Sequence, residues 1–431
     1  MAGAALVVLR PATVAGWGHP LPAGNAVTTA RLVTEPREPL RPVVTTPRQL
    51  TACIASLKDG RGPVAFDAER AHGYRYWPKA YLFQIRRETS GTWLIDPIAF
   101  EHEGVTDLSD LVTACGEAVW LIHAASQDLD CMRSAGIVPP AIFDTELAAR
   151  LLGMPGTALG YLLAELLGIR LKKAHSAANW AKRPLPTTWL NYAALDVDYL
   201  IELYEVLAQR LAAAQRSDWA EQESAAALAQ ASNPPSPKAE PWRKLKGLRD
   251  VKQPRQLAIA RALWQEREAI AQQRDRPPSH ILADDTIVAL ALRVDENWSV
   301  QNQATLAQLP GFGHRYAKRY LTNWHRALTK AASLTKADWP RKRPPITGVG
   351  HPRTWPRHHP QAAARWDRVS PLLAELTCEI GIQQSLIAPT QPLRQVIFDY
   401  QGDPEAELSR AGLRPWQLEF LVPLLHEALD A

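Results

Sequence analysis

From Pro42 onward the chain switches between hydrophobic periods of two and of three to four, and the order of those periods lays out a sheet followed by helices. Thr46 as N-cap and Pro47 at the first helical position open a helix through "RQLTACIASLK", which Gly60 closes. "VAFDAER" then reads as a strand, and alternation resumes in "YRYWPKAYLFQIRR" and "GTWLIDP", which predicts a meander of about three strands. "AVWLIHAASQDLDCM" reads as a buried strand running through Ala124 into a helix, and "WLNYAALDVDYLIELYEVL" is strongly helical. Strands first and strand–helix alternation afterwards predict a layered α/β domain with a mixed central sheet.

The pattern also divides the chain. Residues 1–40 lack periodicity and are rich in Pro, Ala and Gly, so they are expected to form a loose extension outside the core. The α/β domain occupies 41–231, and the Pro/Ser-dense linker 232–240 ends it. Residues 241–330 alternate amphipathic helices with short loops. A basic, proline-rich linker, 331–360, precedes a second helical block at 361–431. There "SLIAPTQPLRQVIF" echoes "HILADDTIVALAL", and "LSRAGLRPWQLEFLVPLLHEAL" echoes "LAQLPGFGHRYAKRYLTNWHRAL", which predicts a duplicated helical module.

Composition changes the picture in three ways. With 431 residues and 46% hydrophobic content the chain can build several proper cores, which excludes a disordered protein. No run of 18 apolar residues exists, and the short apolar stretch near the N-terminus has no basic residue ahead of it. Neither a membrane span nor a secretory signal is expected. Cys53, Cys115, Cys131 and Cys378 lie far apart without a Cys-x-x-Cys pair, so disulfide and zinc frameworks are not expected and a cytoplasmic home is. Charge is uneven: residues 238–360 hold 23 Lys and Arg against 10 Asp and Glu, whereas 361–431 hold 5 against 10. The net charge of +5 thus divides into +13 for the middle segment, −5 for the last and −3 for the first 237 residues. A mildly acidic domain joined to a basic helical segment points to an anionic partner held by the latter.

The candidate chemistry sits in the α/β part. On a strand, residues i and i+2 share a face, so Asp67 and Glu69 lie side by side. Asp128 falls in the first turn after the next buried strand, where the functional edge of such a sheet lies. Tyr192 and Asp196 are four apart on a helix and therefore share its face. Four carboxylates gathered without cations repel one another, and hard divalent ions, Mg²⁺ or Mn²⁺, are the partners that oxygen ligands select. Two such ions roughly 3.5–4 Å apart can drive attack of water on a phosphodiester and stabilise the leaving oxygen. Tyr192 would hold that water.

These residues resemble the DEDD family of 3′–5′ exonucleases, in the subclass whose third motif is Tyr-x-x-x-Asp, and most closely its ribonuclease D branch. The resemblance runs through "FDAERAHGYRYWPKAYLFQIRR", "HAASQDLDCM" and "YAALDVDYL", and includes "FDTELAARLLG" and "LGYLLAELLGIRLKKAHSAANWAKRPL", in order over about 190 residues. It implies a ribonuclease-H-like fold in which Asp67, Glu69, Asp128 and Asp196 ligate two Mg²⁺ or Mn²⁺ ions and Tyr192 positions the nucleophilic water. The helical segment from 241 resembles the HRDC domain, and the duplicated block is the tandem arrangement the same resemblance implies. One departure is Asn179, which stands where the family pattern places an acidic residue before Trp180.

Other polar residues have two readings each. Asp130 and Asp198 fall off the motif faces and are expected to be solvated, while Asp144 reads as the N-cap of a helix that buries Leu147 and Leu151. His123 could contact the site or be a satisfied structural histidine. Lys172, Lys173, Lys182 and Arg183 could bind a phosphate backbone or line a solvated loop. In "GFGHRYAKRY", His314, Arg315, Lys318 and Arg319 could face phosphates or form a charged outer surface. His351, His358 and His359 lack partners at metal spacing and read as linker residues.

The leading expectation is a monomeric 3′–5′ exoribonuclease acting on tRNA precursors or other structured RNA. Single-stranded DNA is the alternative substrate, and a catalytically silent nucleic-acid-binding adaptor is the alternative class.

Overall fold

The structure is a computed structural model, described for residues 30–430 apart from 173–174, 176, 233–238, 296–297, 301 and 344–347. Strand β1 (Arg31–Val33) pairs in parallel with β9 (Ile169–Leu171), and Val33 enters the core. Residues 30–40 are therefore not the loose extension expected. A three-residue strand offers too short an alternation to show periodicity, and its partner lies far along the chain.

The helix Pro47–Asp59 is capped as anticipated: Thr46 accepts from the Gln49 amide, and the Gln49 side chain returns to the Thr46 amide. Strands β2 (Arg61–Arg70), β3 (Ala80–Glu88) and β4 (Gly91–Ile95) form the antiparallel meander. A small hairpin, β5 (Glu101–His102) with β6 (Val105–Thr106), follows. Strand β7 (Val119–Ile122) then pairs in parallel with β2 and with β8 (Ala141–Asp144). The order β4-β3-β2-β7-β8 makes the mixed sheet of a ribonuclease-H-like domain. Strand β8 is four residues long, too short for its period to be legible.

The two faces of this sheet have different jobs. Phe66, Phe83, Ile85, Trp120 and Ile122 on one face pack with Cys53, Leu57, Leu111 and Met132 from three helices. The other face carries Asp67, Glu69, Leu82 and Leu94 and is covered by the helix Thr187–Asp198. Ala193 and Ala194 have no exposed surface, so the helix approaches the sheet closely and its polar residues come down onto the two carboxylates of β2.

Two helical modules follow. The first opens with the 21-residue helix Pro254–Arg274 and continues through Pro278–Ile281, Asp284–Leu292, Gln303–Gln308, Arg315–Arg319 and Leu321–Ala332. The second repeats a 21-residue helix, Pro360–Ile380, then Gln384–Ile387, Thr390–Asp399, Pro404–Arg410 and Pro415–Leu429. The internal echo thus appears as the same helix order, with the single helix Pro415–Leu429 standing where the first module has the two helices Arg315–Arg319 and Leu321–Ala332. The second module begins before residue 361: Trp355 is buried, donates from Nε1 to Val349 O at 2.6 Å and packs edge-on against Phe398.

The modules dock differently. The first has a core of its own, against which Tyr76 of the α/β domain packs, and Asp275 accepts from the Tyr76 and Trp77 amides at 3.0 and 3.2 Å. The second shares a core with the α/β domain, where Trp416 stacks on Trp219 at 4.5 Å and Arg216 donates to Leu151 O and Ile380 O. Among the described residues, no helix is long and apolar enough to cross a membrane.

Candidate metal centre and active site

Strand pairing places Asp67 opposite Gln84 and Glu69 opposite Leu82, so both carboxylates project from the face that the helix Thr187–Asp198 covers. Asp196 comes down from that helix, and one carboxylate oxygen from each of Asp67, Glu69 and Asp196 lies within 4.8 Å of the others. Tyr192, one turn earlier, presents its phenol beside Asp196, whose charge acts on it. Its ring is packed by His175 at 6.0 Å and Trp180 at 6.5 Å.

Asp128 reaches the same place from the other side. The chain leaves β7 through Ala124 in a left-handed conformation (φ 58°), a strained choice for a residue with a Cβ. Asp144 holds that turn: its carboxylate accepts from Ala124 N at 2.9 Å and Ala125 N at 2.8 Å. It also caps the next helix by accepting from the amides of Glu146 and Leu147. The cap was legible from sequence, but the clamp on the turn leading to Asp128 was not, because it needs β7 and β8 side by side. Asp128 is 4% exposed, heads the helix Leu129–Ser134 and makes no side-chain cap to it, so its carboxylate is not spent on the helix.

Burial dominates the electrostatics. It pushes the Asp67 carboxyl up to about 6, against hydrogen bonding from the backbone and the charge of Arg70. Glu69 rises to about 10, through burial first and then the charges of Asp67, Asp196 and Asp128. Burial, followed by Asp67, drives Asp128 and Asp196 well above the usual carboxylate range. The Tyr192 phenol is raised too, by burial and then Asp196, which keeps it a neutral donor. Four oxygen donors that cannot all ionise without added positive charge fit hard divalent cations by number and chemistry. The residues present are those that such ions need.

The remaining candidates sort themselves. Asp130 is 71% exposed, as expected. Asp198 corrects its expectation of a solvated carboxylate: at 1% exposure it accepts from the Arg37 amide at 2.9 Å, with Arg37 Nε at 3.4 Å and Arg86 Nη1 at 3.5 Å. His123 takes the structural reading, pairing with Thr145 Oγ1 at 2.9 Å, and burial lowers it to about 4. Arg183 does not have the phosphate contact expected of it. Its guanidinium grips Asp96 at 2.6 and 2.7 Å and donates to Tyr81 O, Trp180 O and Lys182 O, which uses its donors inside the fold. Lys172 and Lys182 are exposed, and Lys173 lies outside the described residues. His314, Arg315, Lys318 and Arg319 are exposed on the first helical module. Asn179 presents a buried Oδ1 without a partner. Sequence reasoning missed Arg70, whose guanidinium donates to Gln127 O at 2.6 Å and stands 3.7 Å from Asp128. Its place directly after Glu69 was the available signal.

Comparison with known proteins agrees with this geometry. Residues 42–212 match a family described as 3′-5′ exonuclease, 256–328 the HRDC domain, and 348–429 a 3′ to 5′ exonuclease C-terminal domain. The chain is 33% identical over 288 residues to ribonuclease D of Pseudomonas paraeruginosa, covering 65% of this chain and 72% of that one. The chain belongs to the ribonuclease D family. Ribonuclease D of Bartonella henselae is 27% identical over 363 residues, 82% of both chains. Among solved structures, a Bifidobacterium adolescentis protein superposes with a TM-score of 0.84 at 30% identity, covering 93% of this chain and all of the other. Escherichia coli RNase D shares the fold, with a TM-score of 0.64 at 21% identity over 91% of this chain and 99% of its own. This ribonuclease D family member is a 3′–5′ exoribonuclease with an RNA substrate, and its acidic cluster is suited to divalent metal.

Proposed function

We propose that the enzyme removes nucleotides one at a time from the 3′ ends of structured RNA, tRNA precursors foremost, and releases 5′-mononucleotides. In this reading Asp67, Glu69 and Asp196 hold one divalent cation and Asp128 helps to hold a second, Mg²⁺ or Mn²⁺ in each case. The supporting observation is the convergence of three carboxylate oxygens within 4.8 Å on a face where burial forbids their joint ionisation. When bound, the ions supply the Lewis acidity that activates water and stabilises the leaving oxygen.

The chain's own residues do the rest. Tyr192, beside Asp196 and wedged by His175 and Trp180, holds the attacking water with its neutral hydroxyl. Asp144 fixes the turn that delivers Asp128. Lys172, Lys182 and the exposed cations His314, Arg315, Lys318 and Arg319 receive the RNA backbone. The molecule acts as a cytoplasmic monomer, its second helical module completing the core of the catalytic domain within one chain.

Matched RNA and DNA oligonucleotides incubated with Mg²⁺, Mn²⁺ or EDTA test the reading. Stepwise release of 5′-mononucleotides from RNA, stopped by EDTA, is expected. Equal degradation of DNA would move the substrate to single-stranded DNA. EDTA-resistant cleavage would overturn the metal assignment, and binding without cleavage in any metal would make the protein an adaptor. Light scattering during size exclusion checks the monomer.

A further inference from the structure

Residues 30–41 lie ahead of the exonuclease match, which begins at residue 42, and yet they reach the surroundings of Tyr192 from two directions. At one end β1 pairs with β9: Arg31 N donates to Gly168 O at 2.9 Å, Lys172 N donates to Val33 O at 3.1 Å, and the buried Val33 side chain joins Leu163 and Ile169 in the core. At the other end Leu40 packs against the cluster of Leu82, Leu94, Trp180, Ala193 and Ala194. Glu38 accepts from Arg86 at 3.1 Å, and Arg41 donates to Ser90 O at 2.7 Å while lying over the Trp93 ring at 4.3 Å, which fastens the segment to the β3–β4 hairpin.

The stretch between β9 and Trp180 carries His175, and the segment thus holds that stretch at both ends. The His175 ring meets Trp189 at 5.8 Å and stands edge-on to Tyr192 at 6.0 Å. His175 has φ 63°, in the left-handed region that is costly for a residue with a Cβ, and its carbonyl accepts from Ala178 N at 2.9 Å. Such a conformation persists only where its surroundings impose it. Trp180, the other ring on Tyr192, is fully buried and fixed within the fold. His175 is half-buried, and the last ladder bond of β1, to Lys172, lies three residues before it. Three residues span at most about 11 Å even when extended, so a displaced β9 carries His175 with it.

We propose that the N-terminal segment positions the water-holding tyrosine: β1, by fixing β9, seats His175 against Tyr192 and so sets the direction of its hydroxyl. The inference rests on the reading of Tyr192 as the holder of the attacking water, and it makes Val33 and His175 positioning residues for that reaction. When one of the two rings that wedge Tyr192 leaves, the phenol gains room to swing. A misplacement of about 1 Å at the reacting centre costs up to about 10²-fold in rate. The loss falls on kcat rather than KM, because the geometry of the nucleophile changes while the surfaces that receive the RNA backbone do not.

Steady-state kinetics of the full chain on a short RNA oligonucleotide in Mg²⁺ test this. Val33→Asp, which puts a charge into the core behind β1, should lower kcat about tenfold with KM within about twofold of the wild type, whereas the conservative Val33→Ile should keep the wild-type kcat. His175→Ala should show the same loss. In a His175→Ala or Tyr192→Phe background, Val33→Asp should lower kcat by less than a further factor of about two, since it acts through both residues. Arg37→Ala, which loosens the segment at Asp198 and leaves β1 paired, should leave kcat unchanged. If Val33→Asp melts early by circular dichroism, Val33→Ala takes its place, with a loss of about threefold expected. An unchanged kcat in the Val33 and His175 variants, a full loss retained in the Tyr192→Phe background, a change in KM alone, or an equal loss in Arg37→Ala would overturn the proposal. Failure of the Tyr192 reading has another signature: Tyr192→Phe would itself turn over as the wild type does.

Discussion

Asp196 and Asp198 stand two residues apart on one helix and live in opposite electrostatic worlds. Asp196 faces Asp67 and Glu69 with their oxygens within 4.8 Å, and burial drives its carboxyl upward. Asp198, at 1% exposure, faces Arg37 and Arg86 and accepts a backbone amide. A carboxylate supplied with cations by its own chain is structure, whereas one surrounded by other carboxylates is waiting for a cation from outside. Two helical steps, a rotation of about 200°, separate the two.

The sharpest way to break the comparison is to neutralise each aspartate in turn. Asp196→Asn is expected to lower turnover about 10³-fold or more, equivalent to roughly 4 kcal/mol of transition-state stabilisation, while RNA binding persists. In EDTA the same variant should melt at a higher temperature than the wild type, because it removes like-charge repulsion. Single-turnover assays and thermal denaturation read the two effects. A variant that retained turnover would remove Asp196 from the site. Asp198→Ala is expected to do the reverse: a loss of roughly 2–3 kcal/mol in urea unfolding, with turnover per folded molecule unchanged. The figure lies below that for an isolated buried pair because Arg37 is 35% exposed and Arg86 keeps Glu38 as a second partner.

These two residues also show what the sequence could disclose. Asp67, Glu69, Tyr192 and Asp196 were legible because strand and helix periods alone place each pair on one face. Asp128 was legible from the strand before it. The same helical period put Asp198 off that face and could say nothing of its partners, one of which, Arg37, lies 161 residues away. Arg183 was misjudged for the same reason, since Asp96 and Tyr81 are 87 and 102 positions distant. The sheet's meander and the helical duplication were written in periodicity. Strands β1, β8 and β9 are three or four residues long and exist only through pairing that a local pattern does not contain.

Acidity gives a third, smaller contrast. Asp67 holds its proton more tightly folded, at about 6, than the ordinary 3.8 of the unfolded chain. Its contribution is therefore fully present below about pH 4 and is lost as pH rises through about 6, which makes the ion-free enzyme less stable across that window. The expected fall is roughly 2 kcal/mol, shared among coupled carboxylates. Saturating Mg²⁺ should abolish it, because a bound cation favours the ionised forms. Melting temperatures in EDTA and in Mg²⁺ between pH 4 and 7 check this, and parallel curves would show that the cluster does not bind the ion.

The smallest effect concerns the outer side of the Asp198 pairing. Arg37 contributes its backbone amide to Asp198, its Nε at 3.4 Å, a guanidinium 4.4 Å above the Tyr199 ring, and an exposed bond to Glu202. Arg37→Ala keeps the amide and leaves Arg86 in place, so Asp198 is not abandoned in the interior. The expected cost is about 1 kcal/mol, most of it from the ring contact and a partly screened ion pair. Raising the salt concentration should shrink it further. A double-mutant cycle with Asp198→Ala separates the contributions: weak coupling places the anchor in the buried Arg86 pair. If Arg37→Ala instead cost as much as Asp198→Ala, the N-terminal segment would be what neutralises Asp198, and the contrast with Asp196 would rest on a segment that can peel away rather than on the sheet.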